Sequence, residues 1–191
     1  MPTITISTQA EYDSLPEAFG DWTEILIDSP DHFLMLHTTP AKTERILIRG
    51  HSDLAVGGDV SVDVYDQAHV VVRSSASVLA LGHSEIVAIE WATVIAGDYS
   101  HVEAKDQTRV LAHDYCHVEA SGHAAVFKRF PTATVEVSEM AVCWDNARVV
   151  GYLSHPEGPE RLIFGGGVAT QWGPNPVGCE GPPLFTEDLE W

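Results

Sequence analysis

Ser100-His-Val-Glu-Ala-Lys-Asp-Gln-Thr-Arg-Val-Leu-Ala-His-Asp-Tyr-Cys-His-Val-Glu-Ala120 states one pattern three times. A small residue, a branched residue and a second small residue alternate with variable ones, as Ser100/Val102/Ala104, Thr108/Val110/Ala112 and Cys116/Val118/Ala120. Alternation with period two predicts a short strand with one buried face. The three residues between units are rich in Asp, Gly and Ser, which suit turns. The same frame extends outward from Ser52-Asp-Leu54 to Ala124-Ala-Val126 in steps of eight without an insertion. A unit this short cannot bury a face alone, so the units must stack into a solenoid.

A longer period lies inside the short one. The outward residues after each branched position read Val71, Leu79, Val87, Ile95, Glu103, Leu111, Glu119 and Phe127. Alternate members belong together: Leu79, Ile95, Leu111 and Phe127 form an apolar set. The preceding outward position splits the same way, into His69, Glu85, His101, His117 and Ser77, Thr93, Arg109, Ala125. Columns that recur at sixteen predict a two-sided coil with one strand per side. A three-sided coil of twenty-four would stack Leu79 on Glu103. The expected fold is therefore all-β: a two-sided β-solenoid (β-helix) of about 16 residues per coil, with parallel strands about 4.8 Å apart.

Three segments follow. Residues 1–51 are read as an N-terminal capping segment, with a helix from Thr8, a possible N-cap, to Ser14. Strands are expected at Thr23–Asp28, His32–Leu36 and Glu44–Ile48. Residues 52–150 are the octapeptide-repeat solenoid. It frays at Pro131, which lacks a ladder donor, and restarts one residue late at Ala133-Thr-Val135. Residues 151–191 are a Pro/Gly-rich C-terminal tail, expected to be extended loop and to pack on the solenoid with Leu162, Phe164, Trp172, Leu184, Phe185 and Trp191. Its preferred seat is the Leu79/Ile95/Leu111/Phe127 column, which is otherwise a protein or subunit contact.

Acids outnumber bases 28 to 10, for a formal net charge of −18. Direct binding to a phosphate backbone is excluded on that balance, and an anionic membrane surface is disfavoured. No stretch approaches a membrane span, and the N-terminus lacks the basic and apolar regions of a signal peptide. Three cysteines fit a reducing compartment, and a cytoplasmic location is expected. Cys116 falls at an inward position, as a small core residue.

Chemistry is sparse. His101 and Glu103 point outward from one strand, and His117 and Glu119 repeat them one coil later. Their side chains would form a rectangle of roughly 5 by 7 Å. Two imidazoles and two carboxylates at that spacing suit Zn²⁺ or a similar ion; the plain alternative is a solvated face of alternating His and Glu. Tyr99 and Tyr115 should stack along one edge, with His83. The turn acids Asp66, Asp98, Asp114, Glu90 and Asp106 are expected to cap their own turns. No nucleophile–base pair, phosphate loop or Cys-x-x-Cys is legible, so catalytic residues and an organic cofactor are not expected.

Ser100-His-Val-Glu-Ala104 and Cys116-His-Val-Glu-Ala120, together with Ile4-Thr-Ile6, Glu11-Tyr12 and Leu15-Pro16, resemble octapeptide-repeat β-solenoid proteins of actinobacteria and their phages. The resemblance covers about Thr3 to Val126 and implies architecture, with no catalytic residue to carry over. The reading of function is a non-enzymatic scaffold or protein-recognition module, possessing a phage or prophage accessory role by resemblance. The alternatives are an acidic DNA mimic that inhibits a DNA-binding enzyme, and a metal-dependent site on the His/Glu face.

Overall fold

The computed structural model describes residues 1–145, 148–153, 160–164 and 170–171, with side chains through 143. The N-terminal elements are β1 (Thr3–Ile6), α1 (Gln9–Asp13), β2 (Ala18–Ile27), β3 (Leu34–Leu36) and β4 (Ala41–Ile48). Four-residue strands then recur every eight residues: β5 (Asp53–Val56), β6 (Ser61–Val64), β7 (His69–Val72), β8 (Ser77–Ala80), β9 (Glu85–Ala88), β10 (Thr93–Ala96), β11 (His101–Ala104), β12 (Arg109–Ala112), β13 (His117–Ala120) and β14 (Ala125–Lys128). β15 (Thr134–Val137), β16 (Val142–Asp145), β17 (Arg148–Leu153), β18 (Glu160–Phe164) and β19 (Thr170–Gln171) complete the order.

From β2 to β16, even-numbered and odd-numbered strands fall into different sheets. One sheet runs β1-β2-β4-β6-β8-β10-β12-β14-β16-β17-β18-β19, and the other β15-β13-β11-β9-β7-β5-β3. Pairing is parallel with residue i beside residue i+16, as in Thr93↔Arg109 and His101↔His117. The chain is a two-sided β-solenoid of about eight turns. Parallel stacking begins well before the octapeptide region. β1 pairs with β2, β2 with β4, and β3 with β5, with longer loops placing Leu34 beside Leu54. After Phe130-Pro131 the register becomes i↔i+17, as His117↔Thr134 and Val126↔Cys143. The extra residue is held in the loop while the inward positions stay in phase.

At the far end the chain reverses. β16, β17, β18 and β19 pair antiparallel and extend the larger sheet. Arg148-Val-Val-Gly-Tyr-Leu153 and Glu160-Arg-Leu-Ile-Phe164 carry branched or apolar side chains that favour strands, although the glycine and proline content around them suggests loop. The proposed seating of the tail's Leu162, Phe164, Trp172, Leu184, Phe185 and Trp191 lies outside the described side chains.

The interior follows from side-chain size. Ala92, Val94 and Ala96 are fully buried, as are Val102, Ala104, Cys116 and Val118. Only methyl-sized flanks let two sheets close over a single row of branched residues, and close packing makes each methylene count. The first small position is often a hydroxyl that accepts no exposure. Ser100 Oγ donates to Gly97 O at 2.8 Å, Thr108 Oγ1 to Lys105 O at 2.6 Å and Ser52 Oγ to Arg49 O at 2.8 Å. Ser84 Oγ is the exception among the described residues, buried with no partner. Burial pushes the Cys116 thiol above its usual ionisation, and the side chain fills a fully buried inward position.

The turns hold a second ladder. Most turns close by a bond such as Ser100 N to Gly97 O, and the first central residue is left-handed: Asp66, Ser74, Glu90, Asp98, Asp106 and Asp114 all have positive φ. That residue's N–H points along the axis, outside the strand ladder. Asp66, Glu90, Asp98 and Asp106 do not cap their own turns. Asp98 accepts instead from Gly82 N at 3.0 Å, Glu90 from Ser74 N at 2.8 Å, Asp106 from Glu90 N at 3.2 Å, Asp66 from Gly50 N at 3.1 Å and Glu139 from Gly122 N at 2.7 Å. In every case a later coil satisfies the amide of the coil before it. Gly82 is required where it stands: a Cβ there would lie 2.9 Å from Asp66 N.

The N-terminal edge is covered. α1 starts at Thr8, which forms a capping box with Glu11. Tyr12 is buried, and its hydroxyl donates to Thr38 O. Gln9 then acts as a substitute strand. Its Oε1 accepts from Met35 N at 2.7 Å and its Nε2 donates to Met35 O at 3.2 Å. Both backbone groups of the otherwise open β3 edge are thereby paired, which blunts further strand addition. Among the described residues no helix is long and apolar enough to cross a membrane.

Two substitutions separate these roles. Gln9→Ala should cost about 1–2 kcal/mol in urea unfolding and promote concentration-dependent association in light scattering. Ser84→Ala should instead raise stability, by about 1 kcal/mol, whereas Ser100→Ala should lower it by a similar amount.

Candidate functional site

The smaller sheet presents the His/Glu face. β11 and β13 alternate inward valine and alanine with outward histidine and glutamate, so His101 and His117 are register partners, as are Glu103 and Glu119. The imidazoles stack with centroids 5.0 Å apart and planes inclined by 27°. Glu119 Oε1 lies 3.3 Å from His117 Nε2 and 3.7 Å from His101 Nε2. The donor atoms of these three residues all lie within 4.8 Å of one another.

Glu103 does not join them. Lys105, two residues along, holds its carboxylate at 2.7 Å. The four residues singled out by spacing thus divide into a converging trio and a separate ion pair. Sequence spacing alone did not weigh Lys105, because it occupies a turn while Glu103 occupies a strand. Glu136 was also missed as a member of this face. The one-residue shift after Pro131 brings it into register with Glu119. Glu103, Glu119 and Glu136 line a shallow groove of about 270 Å³ with Ser121 and Ser138. Two coils further toward the N-terminus, His69 Nδ1 lies 3.0 Å from Asp53 Oδ1.

The larger sheet carries the apolar column. Leu79, Ile95, Leu111 and Phe127 are successive register partners. Ile95 is 41% exposed and Phe127 46%, with Leu79 and Leu111 half-buried between their neighbours. Beside this column is a groove of about 380 Å³ lined by Trp91, Gln107, Arg109, His123 and Ala125. Trp91 is 61% exposed. These lining residues occupy two sixteen-residue columns, so their adjacency was written in the same period that placed the leucines.

One edge carries an aromatic stack. His83, Tyr99 and Tyr115 follow one another at centroid separations of 5.4 and 5.5 Å. The stack was expected, and intrachain stacking accounts for it.

Asp63 heads the apolar column, in register with Leu79. Burial pushes its carboxyl above the usual 3.8, and Arg45 opposes the shift. A raised carboxyl favours the protonated form in the fold. The penalty is therefore present above the folded pKa and is relieved as pH falls through it. Asp63→Asn should melt higher than the native chain near neutral pH, and its advantage should shrink as pH approaches the usual aspartate range. A series of thermal melts against pH reads this directly. No protein-family model, curated protein or solved structure matches the chain.

Proposed function

We propose that the protein is a non-enzymatic β-solenoid recognition module that binds a protein partner along its larger sheet. The observation that carries this reading is the Leu79/Ile95/Leu111/Phe127 column, with its exposed Ile95 and Phe127 beside the Trp91/Arg109 groove. Apolar anchors next to Trp and Arg are the composition of energetic centres in protein interfaces. The backbone beneath them is a hydrogen-bonded ladder, so little ordering entropy is lost on binding. A net charge of −18 sets two copies against each other and favours a partner whose apolar stripe is framed by basic residues. A phage or prophage accessory role is the biological setting that the octapeptide resemblance suggests.

The turn carboxylates favour this reading over imitation of DNA. Asp66, Asp98, Glu90, Asp106 and Glu139 are directed along the axis onto backbone amides.

Ile95→Glu/Phe127→Glu tests the surface, since both side chains point outward. The variant should keep the native melting temperature. It should weaken a partner captured on the native protein, identified and reassembled from pure components, by at least about tenfold. His69→Gln on the opposite sheet should leave that affinity unchanged. A native dimer in light scattering that the double variant converts to monomer would make the face a subunit contact instead.

A further inference from the structure

We propose that His101, His117 and Glu119 form a three-ligand site for a divalent transition ion of the zinc class, open to water at its remaining position. The assignment is independent of the partner-binding face, because it lies on the other sheet.

Geometry comes first. Ligand atoms held about 2.0–2.2 Å from a tetrahedral ion stand roughly 3.3–3.6 Å apart. Glu119 Oε1 already lies 3.3 Å from His117 Nε2 and 3.7 Å from His101 Nε2. Two edges of a coordination tetrahedron are therefore present before any ion is added. The third edge, between the imidazoles, is within 4.8 Å, and binding requires the stacked rings to turn so that both in-plane lone pairs meet the ion.

The frame holds these atoms in place. His101 and His117 are locked beside each other by backbone register, and Glu119 shares the strand of His117. The inward residues of both strands, Val102, Ala104, Val118 and Ala120, are buried. Sites on strands position ligands more tightly than sites on loops.

Charge points the same way. Lys105 neutralises Glu103 at 2.7 Å, which removes the fourth candidate and leaves Glu119 facing the two ring nitrogens.

The donor set selects the metal. Two imidazole nitrogens and one carboxylate oxygen suit zinc and its neighbours, and are poor for calcium or magnesium, which require a shell of oxygens. Both histidines are half-buried and Glu119 is exposed, so a water completes the coordination.

The test uses the full chain, stripped with chelator and mixed with ZnCl₂, with native mass spectrometry and isothermal titration as readouts. One zinc per chain should bind, and millimolar Mg²⁺ or Ca²⁺ should not displace it. His101→Gln/His117→Gln should abolish binding. Glu119→Gln should weaken it by at least about tenfold, while Glu103→Gln should leave it within about twofold. Far-UV circular dichroism and melting should be unchanged in all three, since each position is on the outer face. Cobalt substitution should give the visible absorption of a four-coordinate ion in the native protein and not in the double variant. Equal zinc retention by native protein and double variant overturns the site, as does no retention by either. Equal damage from Glu103→Gln and Glu119→Gln overturns the three-ligand assignment.

Discussion

Every neighbour relation in the repeat descends from one constraint: a parallel backbone ladder that sets residue i beside residue i+16. A side chain in this fold does not find its partner by tertiary folding. It receives the residue one coil away on the same column. That is why like stacks on like, with His101 on His117, Tyr99 on Tyr115 and Ile95 on Leu111. It is also why a single residue of slip would turn the buried valines outward. The chain accommodates its one extra residue near Pro131 in a loop and leaves the inward phase intact.

The ladder leaves one amide per turn outside its own pattern. A left-handed residue is needed to bend the chain between sheets, and its N–H then faces along the axis. Orphaned backbone donors are costly, and at Gly50, Ser74, Gly82, Glu90 and Gly122 the solution is an acid at the same column of the next coil. Part of the acidic composition thus has a structural cause. Asp tolerates the left-handed conformation better than most residues, so one side chain serves both the bend and the bond.

The architecture was legible because a strict period survives without an alignment. Size alternation gave the strands, and columns such as Leu79/Ile95/Leu111/Phe127 gave sixteen over twenty-four. The aromatic stack and the late restart at Ala133 were legible for the same reason. Properties that depend on where a flexible side chain turns were not. Period places Glu103 beside His101, but a carboxylate one bond longer than aspartate can swing to Lys105. An acid in a turn can bond its own loop or the preceding coil, and only the axial direction of the free amide decides between them. Gln9 on Met35 joins residues far apart in sequence with no repeating signal to announce it.

The carboxylate-to-amide bonds all run one way, from a later coil to an earlier one. The rod is therefore vectorial in the order of synthesis. A coil emerging from the ribosome completes the turn made just before it and leaves its own for the next. Removing a coil that carries Asp66, Glu90, Asp98, Asp106 or Glu139 from the C-terminal side strands the turn amide it had capped, while removing the coil before it strands no turn amide of that set. The two ends of the molecule are unequal for this reason, quite apart from the segments that cover them.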